Sequence, residues 1–208
     1  MAEYHKYVFD TKNRRFLGKF EEMYRKEKEG KFDSWHQDDL RHLDKQICLN
    51  IVNTYNFNKI LDIGCGKGAF TQFLKKSNNV VIGYDISETA IEMAKARFTD
   101  IEFRLADISD KNFMGKRGGK VDLIVCMEVL SYIKNWQNLL KKFSRMAQFV
   151  LIKLFIPEDP IGYVKNFDQL LFEFSACFQI LEDVRLINRK IYILFGKSLN
   201  NNKNGGKL

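Results

Sequence analysis

The residues best able to do chemistry lie between positions 60 and 108. Ile60-Leu61-Asp62-Ile63-Gly64-Cys65-Gly66-Lys67-Gly68-Ala69-Phe70 reads as a short buried strand that runs into a glycine-rich turn and opens a helix. Glycines let backbone come close to a ligand, and a helix start offers unpaired N–H groups. Gly64-x-Gly66-x-x-Ala69 also satisfies the dinucleotide pattern G-x-G-x-x-G/A, so the loop alone does not choose its ligand. Asp62 tilts the choice. A carboxylate two residues before the first glycine is a poor neighbour for a pyrophosphate and a good one for a cationic amine. Gly68 tightens the pattern to G-x-G-x-G.

Two further acids follow. Asp85 closes Val81-Ile82-Gly83-Tyr84, 23 residues after Asp62. A carboxylate at that strand end can accept from both hydroxyls of a ribose, as in nicotinamide-dinucleotide enzymes, which supports an adenosine-containing ligand without naming it. Asp107 closes Phe103-Arg104-Leu105-Ala106, where it can accept from an adenine amino group. One such aspartate is often only a loop cap; three at successive strand ends beside a glycine loop point to a ligand. Ligands in such folds bind outside the carboxyl ends of the strands.

The elements around these residues alternate. Strands are expected at 59–63, 80–84, 101–105, 121–126 and 149–155, with helices at 69–76, 87–98 and 136–146 between them. Strand–helix alternation means an α/β fold, a parallel sheet with helices on both faces. The segments 178–184 and 190–196 are strands with about five residues between them, too few for a crossover helix, so they pair antiparallel. Before the sheet, Phe16, Phe20, Met23 and Tyr24 fall at helical spacing. Asp33-Ser34 can cap a second helix to about Tyr55, with Leu40, Leu43, Ile47 and Ile51 on one face. Residues 1–55 are thus a helical extension, 56–197 the core, and Ser198 to Leu208 a polar tail expected to be disordered.

Composition narrows the class. The 208 residues are 45% hydrophobic and 29% charged, enough for one domain with a large core. Four cysteines without a C-x-x-C pair form neither a zinc site nor a disulfide framework, so no metal is expected and a reducing cytoplasm is. No apolar stretch reaches the roughly 20 residues of a membrane helix, and the N-terminus lacks a signal peptide's apolar core. Residues 111–153 carry nine basic and two acidic residues, which is +7 of the net +8. This region includes Lys116, Arg117, Lys120, Lys134, Lys141, Lys142 and Arg145, and suits an anionic partner or a solvated face.

Over about residues 33 to 196 the chain resembles the class I S-adenosylmethionine-dependent methyltransferases, through "LDIGCGKG", "VIGYDIS", "FRLADI", "VDLIVCMEVLSYI" and the terminal hairpin. The resemblance implies a Rossmann-like, seven-stranded, mostly parallel sheet with an N-terminal helical lid. It implies S-adenosylmethionine as cofactor, S-adenosylhomocysteine as product, and no metal. It gives Asp62, Gly64, Cys65, Gly66 and Gly68 to the methionine end, Asp85 to the ribose, Ile86 to the adenine face, and Asp107 and Ile108 to the adenine edge. Met127 and Glu128 face the sulfonium. Within the family, "SWHQDDLRHLDKQ" and "EVLSYI" look like small-molecule enzymes of the nodulation-methyltransferase type. Tyr132 stands where many relatives carry histidine.

In a family whose N-terminal helix tends to lid the pocket, Trp35 can wall the site and Arg41 can pair with the cofactor carboxylate. His36 is the best candidate to orient the acceptor or remove its proton, with Glu128, Tyr132 and Tyr163 beside the acceptor. The expected reaction is methyl transfer to an oxygen or nitrogen of a small polar metabolite, sugar- or phosphate-containing and anionic, as in cell-surface glycan or capsule biosynthesis. The competing readings are an RNA methyltransferase, a cofactor-binding subunit without catalysis and, weaker, an NAD-dependent enzyme. Nucleic acid is disfavoured by the lack of a stacking platform and of an appended RNA module.

Overall fold

The computed structural model describes residues 3–30, 32–110, 113 and 121–200. Lys116, Arg117, Lys120 and residues 201–208 of the expected tail lie outside these. The elements are α1 (His5–Val8), β1 (Phe9–Asp10), β2 (Arg15–Phe16), α2 (Phe20–Lys28), α3 (Leu43–Asn53), β3 (Lys59–Ile63), α4 (Thr71–Leu74), β4 (Val80–Asp85), α5 (Glu88–Arg97), β5 (Glu102–Leu105), β6 (Val121–Met127), α6 (Trp136–Met146), β7 (Ala147–Phe155), α7 (Phe167–Ser175), β8 (Phe178–Leu186) and β9 (Ile191–Ser198).

The main sheet has seven strands in the order β5-β4-β3-β6-β7-β9-β8. The first five are parallel, and β9 pairs antiparallel with β7 and with β8. This is a Rossmann-like, mostly parallel arrangement with a terminal antiparallel hairpin. Strand order reverses beside β3, so the loops after β3, β4 and β6 open into one crevice.

Alternate residues feed the two faces, as the period of two requires. Leu61, Ile63, Ile82, Tyr84, Ile124, Cys126, Val150 and Ile152 pack with Trp136, Leu140 and Phe143 of α6 and Leu170 and Phe174 of α7. Ile60, Val81, Leu123, Val125, Leu151, Ile193 and Phe195 pack with Cys48 and Val52 of α3 and Leu74 of α4. Asp62 and Lys153 share the parity of this second face, so both carry charge into an apolar layer. Their partners are described below.

The N-terminal region departs from the expected helices. Phe16 lies on a small β1–β2 ribbon, and α2 begins at Phe20. Asp33-Ser34 opens a single 3-10 turn, because Trp35 (φ 51°) and His36 (φ 48°) are left-handed. The long helix starts only at Leu43. The cause is electrostatic: residues 33–38 wrap the buried ammonium of Lys67, and an α-helix could not bring Asp33 and Asp38 to one point. At the other end Ser198 is buried as the last residue of β9, so the ordered chain passes the expected boundary at 197. Its hydroxyl donates to the Ser144 carbonyl. Among the described residues no helix is long and apolar enough to cross a membrane.

Candidate active site

The turn after β3 is fixed by backbone geometry. Gly64 and Gly66 have φ of 73° and 55°, where a side chain is strained. At Gly66 space is short as well, since a Cβ would lie 2.6 Å from the Tyr24 hydroxyl. The Gly64 N–H donates to the Tyr84 carbonyl (2.7 Å), which folds the turn back on β4. The Gly66 N–H donates to Asp85 Oδ2 (2.8 Å), and the Ser87 N–H donates to Asp85 Oδ1 (2.9 Å). Asp85 thus braces the glycine loop while it closes β4.

Asp62 is buried on β3. Thr71, at the start of α4, donates to its Oδ2 at 2.6 Å. Burial outweighs that bond, and with the nearby Asp85 charge it pushes the Asp62 carboxyl up to about 7. Burial raises Asp85 too. Asp107 follows β5 and is exposed; its Oδ1 accepts from the N–H (2.8 Å) and hydroxyl (2.6 Å) of Ser109. Ile86 is 52% exposed while Ile108 is buried. Cys65 is buried against Phe103 and Ile101, and burial raises its thiol far above the ordinary range.

These groups open into one cavity of about 940 Å³, lined among others by Asp62, Gly64, Cys65, Asp85, Ile86, Asp107, Ile108, Met127 and Glu128. Gly66 and Gly68 shape the loop without lining it. The opposite wall is aromatic: Phe16, Phe20, Tyr24 and Trp35 from the N-terminal segment face Tyr132 and Tyr163. Phe16 and Tyr132 stack at 5.5 Å between centroids, Phe20 lies 5.1 Å from Tyr132, and Tyr163 meets Phe16 edge-on at 6.0 Å. Burial raises the Tyr132 phenol well above its ordinary value, so at neutral pH it is a protonated wall and donor rather than a base.

Glu128 sits in left-handed backbone (φ 60°) just past β6. Its Oε1 is 2.6 Å from Lys153 Nζ, and its Oε2 accepts from the Phe155 N–H at 2.9 Å. Lys153 also reaches Asp44 Oδ2 at 2.6 Å, in the first turn of α3 where the helix dipole favours a carboxylate. Desolvation opposes the Lys153 charge, and the two carboxylates outweigh it, so its ammonium titrates above its ordinary range. Among the described residues, buried Asp44 Oδ1 has no hydrogen-bond partner. Glu128 is therefore an oriented, ion-paired carboxylate.

Two expected residues lie elsewhere. His36 is exposed outside the cavity lining and stacks on His42 at 6.1 Å. Arg41 points to solvent and pairs with Asp39 at 3.0 Å, also outside the lining. Both follow from the left-handed turn at 35–36, which replaces the helix that would have aimed them inward. In their place the cavity has Gln37 and Lys45. Lys45 Nζ donates to the carbonyls of His36 (2.5 Å) and Asp39 (2.9 Å) and so fixes this turn. The sequence reading also missed Tyr24 and Lys153 as lining residues. Lys153 had a signal, a charge inside the apolar run Phe149 to Ile156. On the rim, Lys134, Lys142 and Arg145 line the side reached from α6, near Asp110.

Comparison with known proteins finds similarity across the core. Residues 60–148 match a family described as a methyltransferase domain. The matched segment runs from β3 to the start of β7 and holds the glycine turn, Asp85 and Asp107. The chain is 29% identical over 113 residues to a ubiquinone biosynthesis O-methyltransferase of Coxiella burnetii (strain Dugway 5J108-111), covering 52% of this chain and 44% of that one. It is 25% identical over 136 residues to the enzyme of the same description in Vibrio campbellii (strain ATCC BAA-1116), covering 64% and 57%. The chain thus spans about half the length of these relatives. In fold it is similar to the N-methyltransferase NodS from Bradyrhizobium japonicum WM9 in complex with S-adenosyl-L-homocysteine. The TM-score is 0.69 at 19% identity, over 86% of this chain and 98% of that one.

Proposed function

We propose that the protein transfers a methyl group from S-adenosylmethionine to an oxygen or nitrogen of a small polar acceptor. The observation that carries this reading is the single cavity that joins Asp62, Asp85 and Asp107 to an aromatic chamber roofed by the N-terminal segment. The donor set fits the cofactor. Asp62 offers a carboxylate for an ammonium, Asp85 closes the strand where a ribose would bind, and Ile86 presents free apolar surface between Asp85 and Asp107. Asp107 keeps a carboxylate at the edge suited to an adenine amine.

The bound cofactor supplies a methyl carbon already activated by its sulfonium sulfur. The protein's work is alignment and exclusion of water. Phe16, Phe20, Trp35 and Tyr132 exclude water from the methyl end. Glu128, held by Lys153 and the Phe155 N–H, presents a fixed carboxylate to the acceptor. There it can take a hydrogen bond from an acceptor hydroxyl or amine and receive its proton as the new bond forms. Neither His36 nor Arg41 has a role in this reading. The rim lysines and Arg145 suit an anionic substituent such as a sugar phosphate, as in a cell-surface glycan precursor. Four buried free thiols fit a reducing compartment such as the cytoplasm.

The test is incubation of the protein with radiolabelled methyl donor and fractionated metabolite extracts. Label in a small molecule supports the proposal. Label in RNA would favour the RNA reading, and no label in any fraction would leave a binding subunit.

A further inference from the structure

Lys67 lies between Gly66 and Gly68, in the loop beneath Asp62 and Asp85, and its side chain is only 4% exposed. A buried lysine is rare unless paired, because desolvating an ammonium costs several kcal/mol. Here Nζ lies 2.5 Å from Glu27 Oε1, 2.6 Å from Asp33 Oδ1 and 2.7 Å from Asp38 Oδ2. All three carboxylates come from the N-terminal segment and none from the sheet. Asp38 is also 2.8 Å from Arg97 Nη1 of α5. The Lys67 N–H donates to Gln37 Oε1 (3.2 Å), and Gln37 Nε2 donates to the Tyr24 hydroxyl (3.0 Å). The far end of α2 is fastened too: Glu21 accepts from the hydroxyls of Ser87 (2.6 Å) and Thr89 (2.7 Å), just past Asp85 and Ile86.

The wall residues Tyr24, Trp35 and Gln37 therefore sit on the segment that Lys67 gathers, while Lys67 belongs to the loop assigned above to the cofactor. We propose that Lys67 is a positioning residue that makes the glycine loop and the N-terminal roof one mechanical unit, so that cofactor binding and ordering of the acceptor chamber are coupled. Coupling is reciprocal: a roof that orders the loop favours the cofactor, and the cofactor must order the roof in return. The inference rests on the cofactor reading of the loop. A cluster that only stabilised the fold would give no such ligand dependence.

The experiment is hydrogen–deuterium exchange of the full chain with and without S-adenosylhomocysteine, alongside calorimetry. In the wild type, the compound should slow exchange across residues 20–38 about tenfold or more. In Lys67→Met, ligand-free exchange there should rise, the ligand-dependent slowing should vanish, and affinity should fall about tenfold or more. Lys67→Arg should recover part of both. Ligand-dependent slowing kept in Lys67→Met, or unchanged affinity, overturns the proposal. Should Lys67→Met fail to fold, Asp38→Asn loosens the cluster from its exposed side, and the slowing must then shrink; wild-type slowing there overturns it. A wild type that binds no S-adenosylhomocysteine defeats the cofactor reading instead. In that case, unchanged ligand-free exchange of residues 20–38 in Lys67→Met also overturns the mechanical link between loop and roof.

Discussion

At the scale of residues, burial rather than sequence identity sets how the site titrates. Asp62 has an ordinary value of 3.8 and is pushed up to about 7. Its folded value exceeds its unfolded one, so its contribution to stability is full below 3.8 and is lost as pH rises through about 7. The ligand-free protein should therefore lose stability from this group across that window, and Asp62→Asn should flatten the loss in denaturation curves. A cofactor ammonium beside Asp62 favours the ionised form. Binding near pH 6 should then release up to about one proton, read as a dependence of the calorimetric enthalpy on the buffer. Affinity should rise as pH passes about 7. The same enthalpy in all buffers, or equal release in Asp62→Asn, would assign the charge elsewhere.

Lys153 makes a second residue-scale case. Lys153→Met leaves Glu128 and Asp44 without their shared cation in a buried layer, and breaking such a pair costs about 3–5 kcal/mol. Denaturant titration checks this. A loss below 1 kcal/mol would mean that water reaches these carboxylates.

The three strand-end acids were legible in the sequence because parallel strands in register bring their ends to one edge. His36 and Arg41 were misplaced because a helical pattern at 33–42 was overridden by an ion cluster whose other member, Lys67, reads in sequence as one more residue of a glycine loop. No local rule links position 67 to positions 27, 33 and 38.

At the scale of elements, α2 bridges two halves of the crevice. Glu21 holds the start of α5, and hydrogen bonds from Ser87, Thr89 and Arg25 draw its carboxyl from 4.5 down to about 2, against partial burial. Its folded value is depressed, so its hold on α5 is full above 4.5 and is lost as pH falls toward about 2. Glu21→Gln should remove this part of the acid sensitivity and loosen residues 20–28 in exchange measurements at neutral pH. An unchanged acid profile would show that the hydroxyl bonds carry no coupling. The sheet elements were legible, α6 to the residue, because long amphipathic and buried segments carry strong periodicity. The roof was not, since its shape depends on contacts with distant parts of the chain.

At the scale of the whole molecule, a seven-stranded sheet supplies a rigid edge, and the N-terminal segment supplies the wall that faces it. The acids on the edge and the aromatics on the wall line one cavity, as the proposed meeting of donor and acceptor requires. The most direct measurement is calorimetric titration of S-adenosylhomocysteine into the wild type and into Asp85→Ala. The account predicts one site per chain, and an affinity about 100-fold lower in the variant, or about 2.7 kcal/mol, with the fold preserved by circular dichroism. No binding to the wild type, or equal binding by both proteins, would contradict it.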